Sequence, residues 1–160
     1  MDIGLNLPVM VPGLDRDKLL SWCQRIDRGP FSTLAAGERI TFPNPEVMVT
    51  LSAAAIATER VRVAPTVVVL PMHPELLIAK QIATLDVVSG GRVTLGVGVG
   101  ARDEDFHALD RTPAPHRLAD LERQVGRMRQ AWRGELVVET ATRPIEPLPV
   151  QEGGPPIWAG

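Results

Sequence analysis

Short β-branched runs alternate with longer stretches of helical apolar spacing along the whole chain, and nearly every run is closed by Pro or Gly. Residues 3–9 read as a first strand, ended by Pro8 and the Pro12-Gly13 turn. Asp15 or Asp17 caps a helix to about Arg28, with Leu19, Trp22, Cys23 and Ile26 on one face. Residues 31–37 form a second strand. Asn44 as N-cap and Pro45 at the first helical position start a helix over 46–58 carrying Val47, Leu51, Ala54, Ala55 and Ile56. A third strand over 61–70 is almost continuously apolar, as a strand covered on both faces would be. Pro74 opens a helix with Leu77, Ile78, Ile82 and Leu85 inward, and Ser89-Gly90-Gly91 closes it. A fourth strand over 92–97, a long helix through Leu118, Leu121, Val125, Met128 and Trp132, and a fifth strand over 156–159 complete the order.

This β-α-β-α-β-α-β-α-β order demands a parallel sheet with right-handed crossovers. An open doubly wound sheet and a (β/α)8 barrel both satisfy it. A full barrel of about 250 residues uses about 31 per unit. A chain of 160 residues is then an incomplete barrel of four βα units plus a fifth strand, forming one domain over 1–160. Periodicity alone does not exclude the open sheet.

Composition narrows the function classes. With 17 Lys+Arg against 19 Asp+Glu, the chain lacks the basic surplus of a nucleic-acid binder. No apolar run reaches the roughly 18 residues of a membrane span. Asp2 leads directly into a strand-like run, with no sign of a secretory leader, so a cytoplasmic location is expected. The single cysteine, Cys23, sits on an apolar helix face and reads as an inert buried thiol. No His or Cys pair has metal-ligand spacing, so no metal is expected.

Candidate sites cluster where strands end. Gly96-Val97-Gly98-Val99-Gly100-Ala101 matches G-x-G-x-x-A after a strand, the dinucleotide fingerprint of an NAD-binding Rossmann dehydrogenase. Against that reading, Asp103, Glu104 and Asp105 place negative charge where a pyrophosphate would lie, and Asp120 and Glu122 fall inside a helix. In a barrel, the same glycines let a flat ring approach the backbone. Glu38-Arg39 follows the second strand and His73-Pro74 the third, both at the face where a barrel holds its site. Each has a bland alternative: the pair bridging loops, His73 entering a helix. His107 and His116 read as solvated, and Trp22, Trp132 and Met128 as core. Arg102, with Asp103 and Asp105, is as ambiguous as Glu38-Arg39.

Several spaced elements together resemble the luciferase-like flavin monooxygenases. They are the stretch from Phe31 to Ile40, Leu70-Pro71-Met72-His73-Pro74, the stretch from Ala79 to Asp86, Ser89-Gly90-Gly91-Arg92, Gly96-Val97-Gly98-Val99-Gly100, and Pro155-Pro156-Ile157-Trp158-Ala159-Gly160. The resemblance implies a (β/α)8 barrel binding FMN or a 5-deazaflavin (coenzyme F-420) at the C-terminal ends of its strands. It implies oxidoreductase or monooxygenase activity on a small organic substrate. Glu38, Val67, Val68, Gly98 and Gly100 would meet the cofactor, and His73 or Arg39 would hydrogen-bond a substrate oxygen. It also implies a non-proline cis peptide in the third strand, at Val67-Val68 when counted back from Pro71. A separate flavin reductase or a homo-oligomer would be the partners, and a non-catalytic flavin-binding barrel fragment is the alternative. Ala101 stands where the family's deazaflavin sugar-phosphate dehydrogenases carry Glu, and Glu38-Arg39 replaces their Asp-His pair, which counts against that particular activity.

Overall fold

Local chemistry sets the element ends in the computed structural model, which describes residues 1–160. The carboxylate of Asp15 accepts from the Lys18 N–H at 2.8 Å and caps α1 (Arg16–Arg28). Glu46, not Asn44, caps α2 (Val47–Ile56), accepting from the Val49 N–H at 2.6 Å. Asn44 instead donates to the carbonyls of Arg39 and Pro45, so Pro45 stays in the loop. Gly90, with φ +68°, ends α3 (Glu75–Ser89) in the left-handed conformation that a side chain resists. A short α4 (Asp103–His107), which the sequence pattern does not announce, precedes α5 (Arg117–Trp132).

The strands are β1 (Gly4–Asn6), β2 (Thr33–Ala36), β3 (Arg62–Pro65), β4 (Val68–Val69), β5 (Leu95–Gly98) and β6 (Ile157–Ala159). All pair in parallel, in the orders β1-β2-β3 and β4-β5-β6, and a Val63–Val93 bridge joins the two groups into one wall. β3 and β4 are the two halves of the expected third strand. The cis peptide bond between them is Thr66-Val67, one residue before the expected Val67-Val68.

Strands adjacent in space are thus adjacent in sequence, with no reversal of order. A doubly wound sheet reverses at its switch point, so this order excludes it and leaves a singly wound barrel wall. The other face agrees. Gly4, Asn6, Thr33, Ala35, Arg62, Ala64, Thr66 and Trp158 line an open trough of about 350 Å³ with no helical residue on it. Side chains of the opposite pleat, such as Leu34, Val63 and Leu95, are fully buried in the core with Leu51, Ile82 and Met128 of the helices. Cys23 lies in this core, where desolvation pushes its thiol up to about 11 and keeps it unreactive.

Four residues assigned inward by helical spacing lie outward: Trp22 at 40 % exposure, Leu77 at 51 %, Leu118 at 63 % and Ile56 at 75 %. Each sits at the margin of an apolar stripe wider than the sheet can cover. No helix is long and apolar enough to cross a membrane.

Arg92 locks the end of the wall remote from the candidate site. Its guanidinium donates to the carbonyls of Ala55, Thr58, Val61 and Ser89 and to the Thr58 hydroxyl, at 2.7–3.0 Å. This planar fork ties the end of α2 to the start of β3 and the end of α3, a geometry an ammonium cannot match. Arg92→Lys is therefore expected to lose about 2–3 kcal/mol, read from the urea midpoint at unchanged m-value.

Candidate active site

The C-terminal ends of β2, β4 and β5 converge on a cleft of about 330 Å³ lined by Glu38, Val67, Val69, Gly98, Gly100 and Phe106, among others. Its back wall depends on missing side chains. A Cβ on Gly98 would stand 2.7 Å from Val67 Cγ2, and one on Gly96 2.5 Å from the Pro65 carbonyl oxygen. At Gly100, φ is +73°, and a Cβ would meet Val69 Cγ1 at 2.5 Å and the Phe106 ring at 2.9 Å. The three glycines therefore let the broken third strand lie directly on β5. The resulting surface is mostly apolar, and the cleft volume falls in the range of small-molecule sites.

One carboxylate is set into it. The Glu38 side chain is only 4 % exposed, yet both oxygens are satisfied. Oε2 accepts from the Val69 N–H at 2.7 Å, and Oε1 pairs with His73 Nε2 at 2.8 Å. An ionised carboxylate only accepts, so in the neutral imidazole Nε2 carries the proton.

Beside it, Arg39 is held by two carboxylates. Its Nε donates to Asp105 Oδ2 at 2.6 Å and its terminal nitrogen to Glu104 Oε1 at 2.7 Å. Asp105 Oδ1 accepts from the Ile40 and Thr41 N–H groups and the Thr41 hydroxyl. Burial alone would raise the Asp105 carboxyl; the Thr41 N–H, the Arg39 guanidinium and the Thr41 hydroxyl outweigh it and hold it at about 2. This latch fastens the loop after β2 to α4 and forms one side of the cleft. Arg117 braces the other side, donating to the Gly100 carbonyl at 2.7 Å and lying 5.0 Å over the Phe106 ring. Arg102 is the one ionic side chain lining the cleft without an ion-pair partner.

The structure thus brings together Glu38, Arg39, Val67, Gly98 and Gly100. Val68 does not line the cleft: its side chain points into the core and is fully buried, because the pleat sends Val67 and Val69 the other way. His73 also lies off the cleft, behind Glu38. Phe106 and Arg117 were not singled out by sequence, and Asp105 stood only as an ambiguous companion of Arg102. The acidic run Asp103-Glu104-Asp105 was the available signal, and its partner Arg39 lies too far away in the chain for spacing to reveal it. No three His, Cys, Asp or Glu side chains gather as a metal ion would require.

Comparison with known proteins places these features in context. Residues 4–160 match the family described as luciferase-like monooxygenase. The oxygenase component of the flavin-dependent trigonelline monooxygenase of Acinetobacter baylyi is 26 % identical over 156 residues, covering 89 % of this chain and 42 % of that protein. The F420-dependent glucose-6-phosphate dehydrogenase of Microbacterium testaceum is 36 % identical over 101 residues, covering 61 % and 30 %. Among solved structures, the FMN complex of the oxygenating constituent of 3,6-diketocamphane monooxygenase from Pseudomonas putida superposes with a TM-score of 0.79 at 21 % identity, covering 99 % of this chain and 51 % of that one. The chain spans less than half the length of the curated relatives it matches.

The latch sets a pH dependence. A carboxyl held below its ordinary value contributes stability above about pH 4, its unfolded value, and loses it as pH falls towards 2. Asp105→Asn is expected to cost about 2 kcal/mol at pH 7. The gap to the unsubstituted protein should close as urea midpoints are followed from pH 4 to pH 2.

Proposed function

The chain belongs to the luciferase-like monooxygenase family, and from that premise we propose that it is the cleft-bearing part of a flavin- or deazaflavin-dependent oxidoreductase acting on a small organic substrate. The observation that carries this reading is the glycine-backed cleft at the strand ends with the buried Glu38 carboxylate, free of any arginine, beside it. FMN or a 5-deazaflavin fits this donor set: an apolar surface for a planar ring and a carboxylate able to accept from ring N–H groups. When bound, such a cofactor supplies the redox chemistry.

The chain's own residues position and enclose it. Val67 and Val69 present the ring-facing surface, Gly98 and Gly100 leave room for them, and Val68 supports them from the core. Glu38 accepts hydrogen bonds at the ring edge, Arg39 holds the side wall, and His73 acts through Glu38. A monooxygenase using reduced flavin from a separate reductase agrees with the relative named as an oxygenase component. A deazaflavin-dependent reductant agrees equally with the F420-dependent relative, although Ala101 departs from that activity's motif. We take it to be cytoplasmic, with a homo-oligomer as its assembled form.

Fluorescence titration with FMN and with a 5-deazaflavin tests the reading. Saturable binding by the unsubstituted chain is expected, and Gly100→Leu should weaken it at least tenfold, or about 1.4 kcal/mol, with the far-UV spectrum retained. Binding of neither cofactor would overturn it. Binding without faster reoxidation in the presence of any small organic substrate would favour a non-catalytic flavin-binding role.

A further inference from the structure

Glu38 stands between two cavities. One is the cleft. The other is an outer pocket of about 490 Å³ between the turn at Leu70–Met72, the start of α3, the 110–114 loop and α5. His73 lines only the outer pocket, and Glu38 only the cleft. The 2.8 Å contact between Oε1 and Nε2 is the link between them.

We infer that Glu38 and His73 form a proton relay joining solvent in the outer pocket to the cofactor cleft. The inference rests on the reading of that cleft as a flavin or deazaflavin site, where redox chemistry has to exchange protons.

Four observations carry it. The pair is dry at one end and wet at the other, with the Glu38 side chain 4 % and the His73 side chain 18 % exposed. The outer pocket is lined by Asp110, Arg111, Asp120 and Arg123, which keep it hydrated. Glu75, the acid nearest His73 in sequence, is drawn away by Arg127 at 2.9 Å, leaving Glu38 as the imidazole's carboxylate partner. Lastly, Gln124 of α5 holds the relay in place. Its Nε2 donates to the carbonyls of His73 at 3.2 Å and Leu70 at 3.3 Å. Gln124 is 4 % exposed, so its amide is fixed against the backbone of the turn that carries His73.

The transfer balances simply. With Nε2–H directed at Glu38, Nδ1 is the ring's free acceptor. A water in the outer pocket gives a proton to Nδ1, the Nε2 proton passes to Glu38 Oε1, and Glu38 releases a proton to a basic atom in the cleft. Each carboxylate oxygen keeps a second lone pair for this despite its existing bond. One proton enters, leaving a hydroxide that bulk water neutralises, and one leaves. The ring, now Nδ1–H, regains its first tautomer by swinging into the outer pocket, where Nε2 takes a proton from water and Nδ1 returns one. Gln124 is a positioning residue in this scheme.

Nitrogen-15 NMR of histidine-labelled protein, without cofactor, tests the link, with His73→Gln identifying the signal among the three histidines. The neutral ring is expected as the Nε2–H tautomer with a slowly exchanging proton. Glu38→Gln should release that restraint, and Gln124→Met should broaden the His73 signal. An Nδ1–H tautomer, or indifference to Glu38→Gln, would overturn the relay whatever the cleft binds. In the loaded protein, His73→Ala should slow the proton-dependent step at least tenfold with cofactor Kd unchanged, and added imidazole should restore it. An unchanged rate, or a loss that imidazole does not restore, would overturn the relay. Failure of the unsubstituted chain to bind FMN or deazaflavin would instead strike the cofactor reading, which the NMR measurement does not depend on.

Discussion

The contact between the broken third strand and the glycines of β5 and the turn after it is the constraint on which the candidate site rests. Val67 and Val69 occupy the space where side chains on Gly98 and Gly100 would stand, and the Pro65 carbonyl fills the same space over Gly96. Because the two segments touch backbone to side chain, the Val69 N–H faces the Glu38 carboxylate. That hydrogen bond compensates much of the cost of burying a carboxylate. Loss of the close approach would open the wall, release Glu38 and separate it from His73. The buried charge and the imidazole behind it therefore both depend on that wall.

Charge around the site is arranged so that few groups are left free. Glu38 is satisfied by a backbone N–H and an imidazole, Arg39 by two carboxylates, and Asp105 by four donors. Side chains so committed have little rotational freedom, which preorganises the cleft for a ligand. The latch at Asp105 also spans 64–66 residues of sequence, so it secures the rim to a distant part of the chain.

Much of the fold was legible because its signals are local. Alternation of strand and helix, the Asp15 cap, the Gly90 turn and the apolar spacing through Leu121, Val125, Met128 and Trp132 are each written within a few residues. Alternation alone did not separate barrel from doubly wound sheet, since the two differ only in which strands pair; chain length and the family resemblance pointed to the barrel. The outward positions of Ile56 and Leu118 were missed because spacing marks a stripe without saying how much of it the sheet covers. In the site, Glu38, Gly98 and Gly100 followed from their places at strand ends. Placing Val68 in the core and His73 behind Glu38 needed the local pleat and side-chain directions, and the Arg39–Asp105 pair needed proximity that sequence distance hides.

The unbroken strand order has a consequence for how the chain reaches its native state. Gly4 pairs with Thr33, Thr33 with Arg62 and Val68 with Val97, in each case across 29 residues. Folding therefore closes a succession of loops of one size, and each closure sets an edge for the next strand to join. The entropy of closure grows only with the logarithm of loop length. Bringing Ile157 to Leu95, across 62 residues, then costs only about 0.6 kcal/mol more than each earlier step. A parallel sheet is ordinarily slow to form because its pairings are distant in sequence. Here that distance is divided into near-equal intervals, so the wall can be assembled one strand at a time.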